Sequence, residues 1–155
     1  MLSRNSVVLT KLKPPRLSRR ILHRSRVTQT LLAALEFRLT IVQASAGYGK
    51  STALADLADR GFNLAWYHLS SEDSDPIIFF LHLIHTCKSF IFQPESLITQ
   101  LENQSGNLAE INWPGLIDEL VNRMAVTLSE PVLLILDDYH QIAEAAHVSP
   151  LIDRF

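Results

Sequence analysis

Cysteine is almost missing from this chain: Cys87 is the only one in 155 residues. That excludes an internal disulfide framework and any zinc site built on cysteines, and it makes a reducing compartment, the cytoplasm, the expected setting. Nowhere does the sequence approach the ~18 consecutive apolar residues that a membrane-spanning helix needs, so no membrane partner is expected. There is no internal repeat and no low-complexity tract. Acid is absent from the first 35 positions, which carry eight basic residues (Arg4, Lys11, Lys13, Arg16, Arg19, Arg20, Arg24, Arg26). The remainder holds six basic against sixteen acidic residues, so a net charge of −2 hides a basic arm on an acidic body. Such an arm suits a nucleic acid or other anionic partner, a mitochondrial transit peptide, or a solvated lead-in. With 47% apolar residues, the length suffices for one domain with a core and not for two ordinary ones.

Pro14-Pro15 and weak periodicity predict an extended or irregular start. From Val27, apolar residues at Leu31, Leu32 and Leu35 recur at helical spacing, with Ser25 or Thr28 available as cap. The short β-branched run Leu39–Gln43 predicts a buried strand, and 51–58 a compact helix stopped by Gly61. A second strand is expected from Asn63 to Leu69. A helix from Pro76 to about Phe90 follows, apolar nearly all round in its first half and capped by Asp75. Residues 91–113 are too mixed to assign. Pro114 to about Ser129 carries Leu116, Ile117, Leu120, Val121 and Met124 on one helical face, and Val132–Leu136 is a strand apolar on both faces. Strands alternating with helices predict an α/β fold with a parallel sheet covered by helices.

The strongest chemical signal is Ala44-Ser45-Ala46-Gly47-Tyr48-Gly49-Lys50-Ser51, followed by Thr52. It has the Walker A pattern: a small residue, four of any kind, then Gly-Lys-Ser, between an expected strand and an expected helix. Glycines let backbone amides curl round a β-phosphate, and the helix N-terminus adds a positive field. Lys50 would reach the β- and γ-phosphates and the Ser51 hydroxyl would ligate magnesium. Ala44 stands where the first glycine is usual and keeps that position small. The second signal is Asp137-Asp138, directly after the apolar run Val132–Leu136. Asp137 would hold magnesium through water, and Asp138 would polarise an attacking water as general base. His82 and His85, three apart with Cys87 nearby, have a possible metal spacing, but polar edges of a buried helix explain them better. Trp66 and Tyr67 read as core, His68 as a strand residue without chemistry, and His140 and Gln141 as loop residues near the acidic pair.

These residues resemble a known family. Thr10–Arg16, Arg24–Val27, Leu39–Thr52, Ala65–Leu69, Asp73–Pro76 with Phe79-Phe80, and Leu133–His140 are together similar to the N-terminal part of the nucleotide-binding module of MalT-like, LuxR-type ATP-dependent transcriptional regulators, P-loop ATPases of the STAND class. The resemblance implies a P-loop NTPase fold, ATP or ADP with Mg2+ as cofactors, and a nucleotide switch. In such a switch ADP holds a closed form, ATP with inducer opens it for self-association, and slow hydrolysis resets it. It also implies that the basic lead-in packs near the nucleotide, with Arg24 or Arg26 touching it, and that DNA is bound only by a C-terminal helix-turn-helix domain outside these residues. On this reading, 1–38 forms the lead-in and first helix, and 39–155 a partial P-loop domain whose sheet is incomplete at the C-terminus.

The alternative from another class is a free-standing small P-loop ATPase or kinase using the same loop and acidic pair. A kinase would be expected to carry a basic lid, yet after Lys50 only Arg60, Lys88, Arg123 and Arg154 are basic. A further expectation concerns the sheet. In such ATPases the strand between the phosphate-loop strand and the acidic strand comes later in the chain. Here Gln141–Val148 reads as a short helix, and Leu151–Phe155 is too brief for a strand. The strands at 39–43 and 132–136 would then flank a gap and leave the chain marginally stable.

Overall fold

The computed structural model describes residues 7–17, 24–45, 47–104 and 108–155. In chain order its elements are α1 (Ser25–Ala34), α2 (Lys50–Ala55), β1 (Asn63–His68), α3 (Pro76–Thr86), α4 (Pro94–Gln104), α5 (Trp113–Thr127), β2 (Val132–Asp137) and α6 (Ser149–Arg154), with short 3-10 turns between several of them. They form two compact units: Pro14–Leu64, and residues 7–13 together with Ala65–Phe155.

In the larger unit, β1 and β2 are hydrogen-bonded neighbours. The amide of Leu69, just past β1, donates to the carbonyl of Asp137, the last residue of β2, at 2.9 Å. The two strands therefore end side by side and run parallel, joined by a crossover that contains α3, α4 and α5. The fold is mixed α/β, as expected, around a two-stranded parallel sheet. Trp66 and Tyr67 are core residues, 2% and 0% exposed.

Helix α3 forms where Asp75 and Pro76 predict it. The Asp75 carboxylate accepts the amides of Ile77 (2.8 Å) and Ile78 (3.4 Å), two donors that the first turn would otherwise leave unpaired. Seven of its residues from Phe79 to Thr86 are buried, which agrees with an apolar pattern that runs nearly all round. Each fully buried Phe or Leu contributes roughly 1.5–3 kcal/mol. Helix α5 buries Leu116, Ile117 and Leu120, with Val121 and Met124 half-buried on the same core.

Helix α4 lies in the stretch that the sequence left unassigned. Its apolar face is narrow, Leu97 and Leu101 one turn apart, and both are fully buried. It starts after Gln93, whose φ of +50° is rare for a side-chain-bearing residue. The Arg123 guanidinium holds that turn by donating to the carbonyls of Phe92 (3.2 Å) and Gln93 (2.6 Å).

Two expected elements are corrected. Leu39–Gln43 is not a strand: it is irregular, and Leu39 and Ile41 are 77% and 82% exposed. A strand is held by ladder hydrogen bonds to a neighbour, and among the described residues none pairs with this segment. The picture of two ordered strands flanking a gap is therefore not realised. The helix expected at 141–148 is displaced as well. That stretch is a series of turns, and α6 begins at Ser149 because Pro150 fits only the first turn of a helix. Leu151 then enters the core, and Arg154 pairs with Asp118 of α5.

In the smaller unit, α1 opens at Ser25 without a side-chain cap. The Thr28 hydroxyl points instead to the Asp56 carboxylate (3.4 Å), which also receives Arg60 Nε (3.0 Å). The expected helix over 51–58 is shorter, ending at Ala55 and passing into a 3-10 turn that stops at Gly61, φ +85°.

The polar centre of the larger unit is Asp73, fully buried. Its Oδ2 accepts Lys11 Nζ (2.8 Å), the Ser70 amide (2.7 Å) and the Ser70 hydroxyl (3.1 Å), and its Oδ1 accepts the Tyr67 hydroxyl (2.8 Å). Lys11 comes from the basic arm, yet its side chain is only 12% exposed. Three residues earlier, just before the 3-10 turn that holds Lys11, the Val8 amide donates to His82 Nε2 (3.1 Å), which leaves His82 Nδ1 to donate to the Ile78 carbonyl (2.9 Å). Burial alone would raise the Asp73 carboxyl. The Lys11, Ser70 and Tyr67 hydrogen bonds outweigh it and hold the group below the usual carboxylate range. The same burial, with the Asp73 charge, pushes the Tyr67 hydroxyl far up.

A depressed carboxyl contributes stability that is present above its unfolded value, about 4, and is lost as pH falls through the lower folded value. Asp73→Asn removes the buried charge that pairs with the Lys11 ammonium and leaves it the Ser70 hydroxyl (2.7 Å) and Glu72 at 4.0 Å, so urea unfolding at pH 7 should show a loss of about 3 kcal/mol. The difference from wild type should shrink as pH falls below about 4. A difference that is constant with pH, or absent at pH 7, would contradict the assignment.

Candidate nucleotide-binding site

The Walker A residues lie in the smaller unit. Gly47 and Gly49 both have positive φ, +81° and +78°, so the chain bends there through conformations open to glycine at little cost. Lys50 follows as the first residue of α2. Its ammonium turns back into the loop and donates to the carbonyls of Ala44 (2.6 Å) and Ser45 (3.2 Å). The loop thus closes around a cation at its mouth, where an anion would compete for the same ammonium. Ser51 and Thr52 lie in the first turn of α2, and Tyr48 is 66% exposed. Ala46 lies outside the described residues. Arg24, just before α1, donates from Nη1 to the Tyr48 carbonyl at 3.5 Å, which puts a second cation beside the loop. Arg26 makes no such contact among the interactions described.

The acidic pair lies in the larger unit, at the C-terminal end of β2. In parallel sheets this is the end at which ligands bind. Asp137 is 6% exposed, and its Oδ1 accepts the amide of Asp138 at 3.1 Å. Asp138 adopts a left-handed conformation, φ +58° and ψ +38°, which turns the chain sharply out of the strand. Asx residues tolerate that conformation better than most, and the turn leaves the Asp138 side chain partly exposed while that of Asp137 points inward.

The structure adds one residue to which the sequence assigned nothing. His68 ends β1, and since β1 and β2 end together its ring faces the acidic pair. Nδ1 lies 3.5 Å from Asp137 Oδ2 and Nε2 lies 3.8 Å from Asp138 Oδ2. His140 Nδ1 is 3.8 Å from the other Asp138 oxygen. The missed signal was register: His68 and Asp137 each close a parallel strand. The loop and the acidic pair belong to separate units.

The donor set suits magnesium. Among the described residues no three His, Cys, Asp or Glu side chains converge to cage a metal. Magnesium needs no cage, since it is held by one or two carboxylates, phosphate oxygens and water. The His82–His85–Cys87 alternative does not hold. Both His82 nitrogens are engaged, and burial pushes the Cys87 thiol up to about 12.

No family model matches the chain, and no solved structure matches it either. Curated relatives do. The HTH-type transcriptional regulator MalT of Yersinia pestis (strain Pestoides F) is 33% identical over 143 residues, which cover 86% of this chain and 14% of that protein. MalT of Yersinia pseudotuberculosis serotype O:3 matches equally. The serine/threonine-protein kinase PknK of Mycobacterium tuberculosis is 27% identical over 143 residues, 88% of this chain and 12% of its own length. The chain thus spans about one seventh of the MalT proteins it matches. It is a MalT-like sequence, related over most of its residues to one segment of a much longer transcriptional regulator.

Proposed function

We propose that this chain is an ATP/ADP-binding switch module of a STAND-type transcriptional regulator, with at most slow hydrolysis. The observation that carries the reading is the Lys50 loop: two glycines at positive φ and an ammonium turned onto the loop's own carbonyls. In this reading the loop amides and Lys50 take the β- and γ-phosphates, and Ser51 and Asp137 hold Mg2+. Arg24 adds charge beside the loop, and Asp138 serves as general base. Self-association is a property of the module in the same reading, and none of these residues is assigned to DNA.

A switch is favoured over a free-standing kinase or ATPase by the state of the remaining cations. All four basic residues after Lys50 are committed to carboxylates: Arg60 to Asp56, Lys88 to Glu95, Arg123 to Glu119 and Arg154 to Asp118. Among the described residues these four lie apart in separate ion pairs and form no basic cluster of the kind that closes over transferring phosphates in a kinase.

Isothermal calorimetry should show Mg2+-dependent binding of ATP and ADP. Lys50→Ala removes a charge-assisted hydrogen bond, worth roughly 1.5–3 kcal/mol, so affinity should fall roughly 10- to 100-fold. Equal affinity in the variant would remove the role given to Lys50.

Turnover should stay well below about one per second, the lower edge of the ordinary enzyme range. Asp138→Asn should abolish what remains while binding persists, and Asp137→Asn should chiefly blunt the response to Mg2+. Rapid wild-type turnover would favour the free-standing enzyme.

A further inference from the structure

We propose that His68 is the positioning residue of the Asp137 carboxylate, fixing it in the orientation in which it takes a magnesium ion. The proposal rests on the role given to Asp137 above. The parallel pairing of β1 and β2 fixes the geometry, because the Leu69 amide bonds to the Asp137 carbonyl at 2.9 Å and so locks the two strand ends in register. His68 and Asp137 therefore face each other as a consequence of the backbone. Asp137 Oδ1 accepts the Asp138 amide (3.1 Å), and Oδ2 faces His68 Nδ1 (3.5 Å). Each oxygen of the carboxylate is thus approached by a donor fixed to the backbone of a strand end.

Core packing does not account for His68. Its side chain is 50% exposed, although Ala65, Trp66 and Tyr67 before it are buried. Nor is it held by Asp138, since Nε2 to Asp138 Oδ2 is 3.8 Å, beyond hydrogen-bond reach. The nearer nitrogen is the one that meets the nearly buried carboxylate. A donor behind a metal-binding group restricts its rotation and keeps it presented to the ion, and loss of such a donor typically costs roughly 10- to 100-fold in metal affinity.

The test is a Mg2+ titration of the full chain with a fluorescent ATP analogue, alongside nucleotide affinity measured in EDTA. Asparagine places an amide N–H near the position of Nδ1, whereas glutamine places one near Nε2. His68→Ala and His68→Gln should need roughly 10-fold more Mg2+ for half-maximal response, while His68→Asn stays close to wild type. Affinity in EDTA should be unchanged in all three, and the near-UV circular dichroism of each variant reports that the unit holding His68 is folded. If His68→Ala does not fold, the contrast between Asn and Gln decides alone. A wild-type Mg2+ response in His68→Ala, with that response lost in Asp137→Asn, would overturn the role of His68 and leave the proposed function standing. Damage in His68→Asn equal to that in His68→Ala would overturn the Nδ1 contact. An unaltered Mg2+ response in Asp137→Asn would overturn the reading of Asp137 and this proposal with it.

Discussion

A fully buried carboxylate must be matched by donors or it does not stay buried, and Asp73 is the point at which this constraint organises the larger unit. Four donors converge on it from three places in the chain: the basic arm at Lys11, the end of β1 at Tyr67, and the turn at Ser70. Its location just before Asp75 and Pro76 couples this network to the start of α3, whose first turn Asp75 caps. The arm is held a second time through Val8 and His82. Residues 7–13 are thereby part of the folded unit, and one of the eight charges that make the arm look like a free polybasic segment is an internal counter-ion.

That pairing illustrates what a sequence conceals. Lys11 and Asp73 stand 62 positions apart, and no local pattern marks them as partners. His68 was opaque for the same reason, because its meaning depends on the parallel register that sets it opposite Asp137. Local rules served well where the cause is local. Asp75-Pro76 announced a helix start, Gly61 an end at positive φ, and the apolar face of α5 was readable from its spacing. Leu39–Gln43 failed because a β-branched run only proposes a strand, and a hydrogen-bonded neighbour must complete it. Helix α4 was hidden by a narrow apolar face and by a start at Gln93 that Arg123 props up from α5. Proline outweighed the helical look of 141–148, since Pro150 allows a helix to begin but not to continue through it.

The Walker A loop and the acidic pair share a construction principle. Each sits where the backbone takes left-handed turns, at Gly47 and Gly49 in one and at Asp138 in the other. Such turns concentrate donors or carboxylates at a strand or helix end without long side chains. The loop's residues were legible from sequence because glycine at those positions is itself the signal. The acidic pair was legible only as a pair. The difference between a buried Asp137 and a partly exposed Asp138 comes from the turn between them.

The proposed function places nucleotide affinity in the phosphates, taken by the Lys50 loop. Calorimetry of ATP, ADP and AMP against the same preparation measures this directly. ATP and ADP should bind within about tenfold of each other, with AMP at least roughly 100-fold weaker, since it lacks the β-phosphate that the proposal gives to the loop amides and Lys50. AMP binding as tightly as ADP would contradict the account.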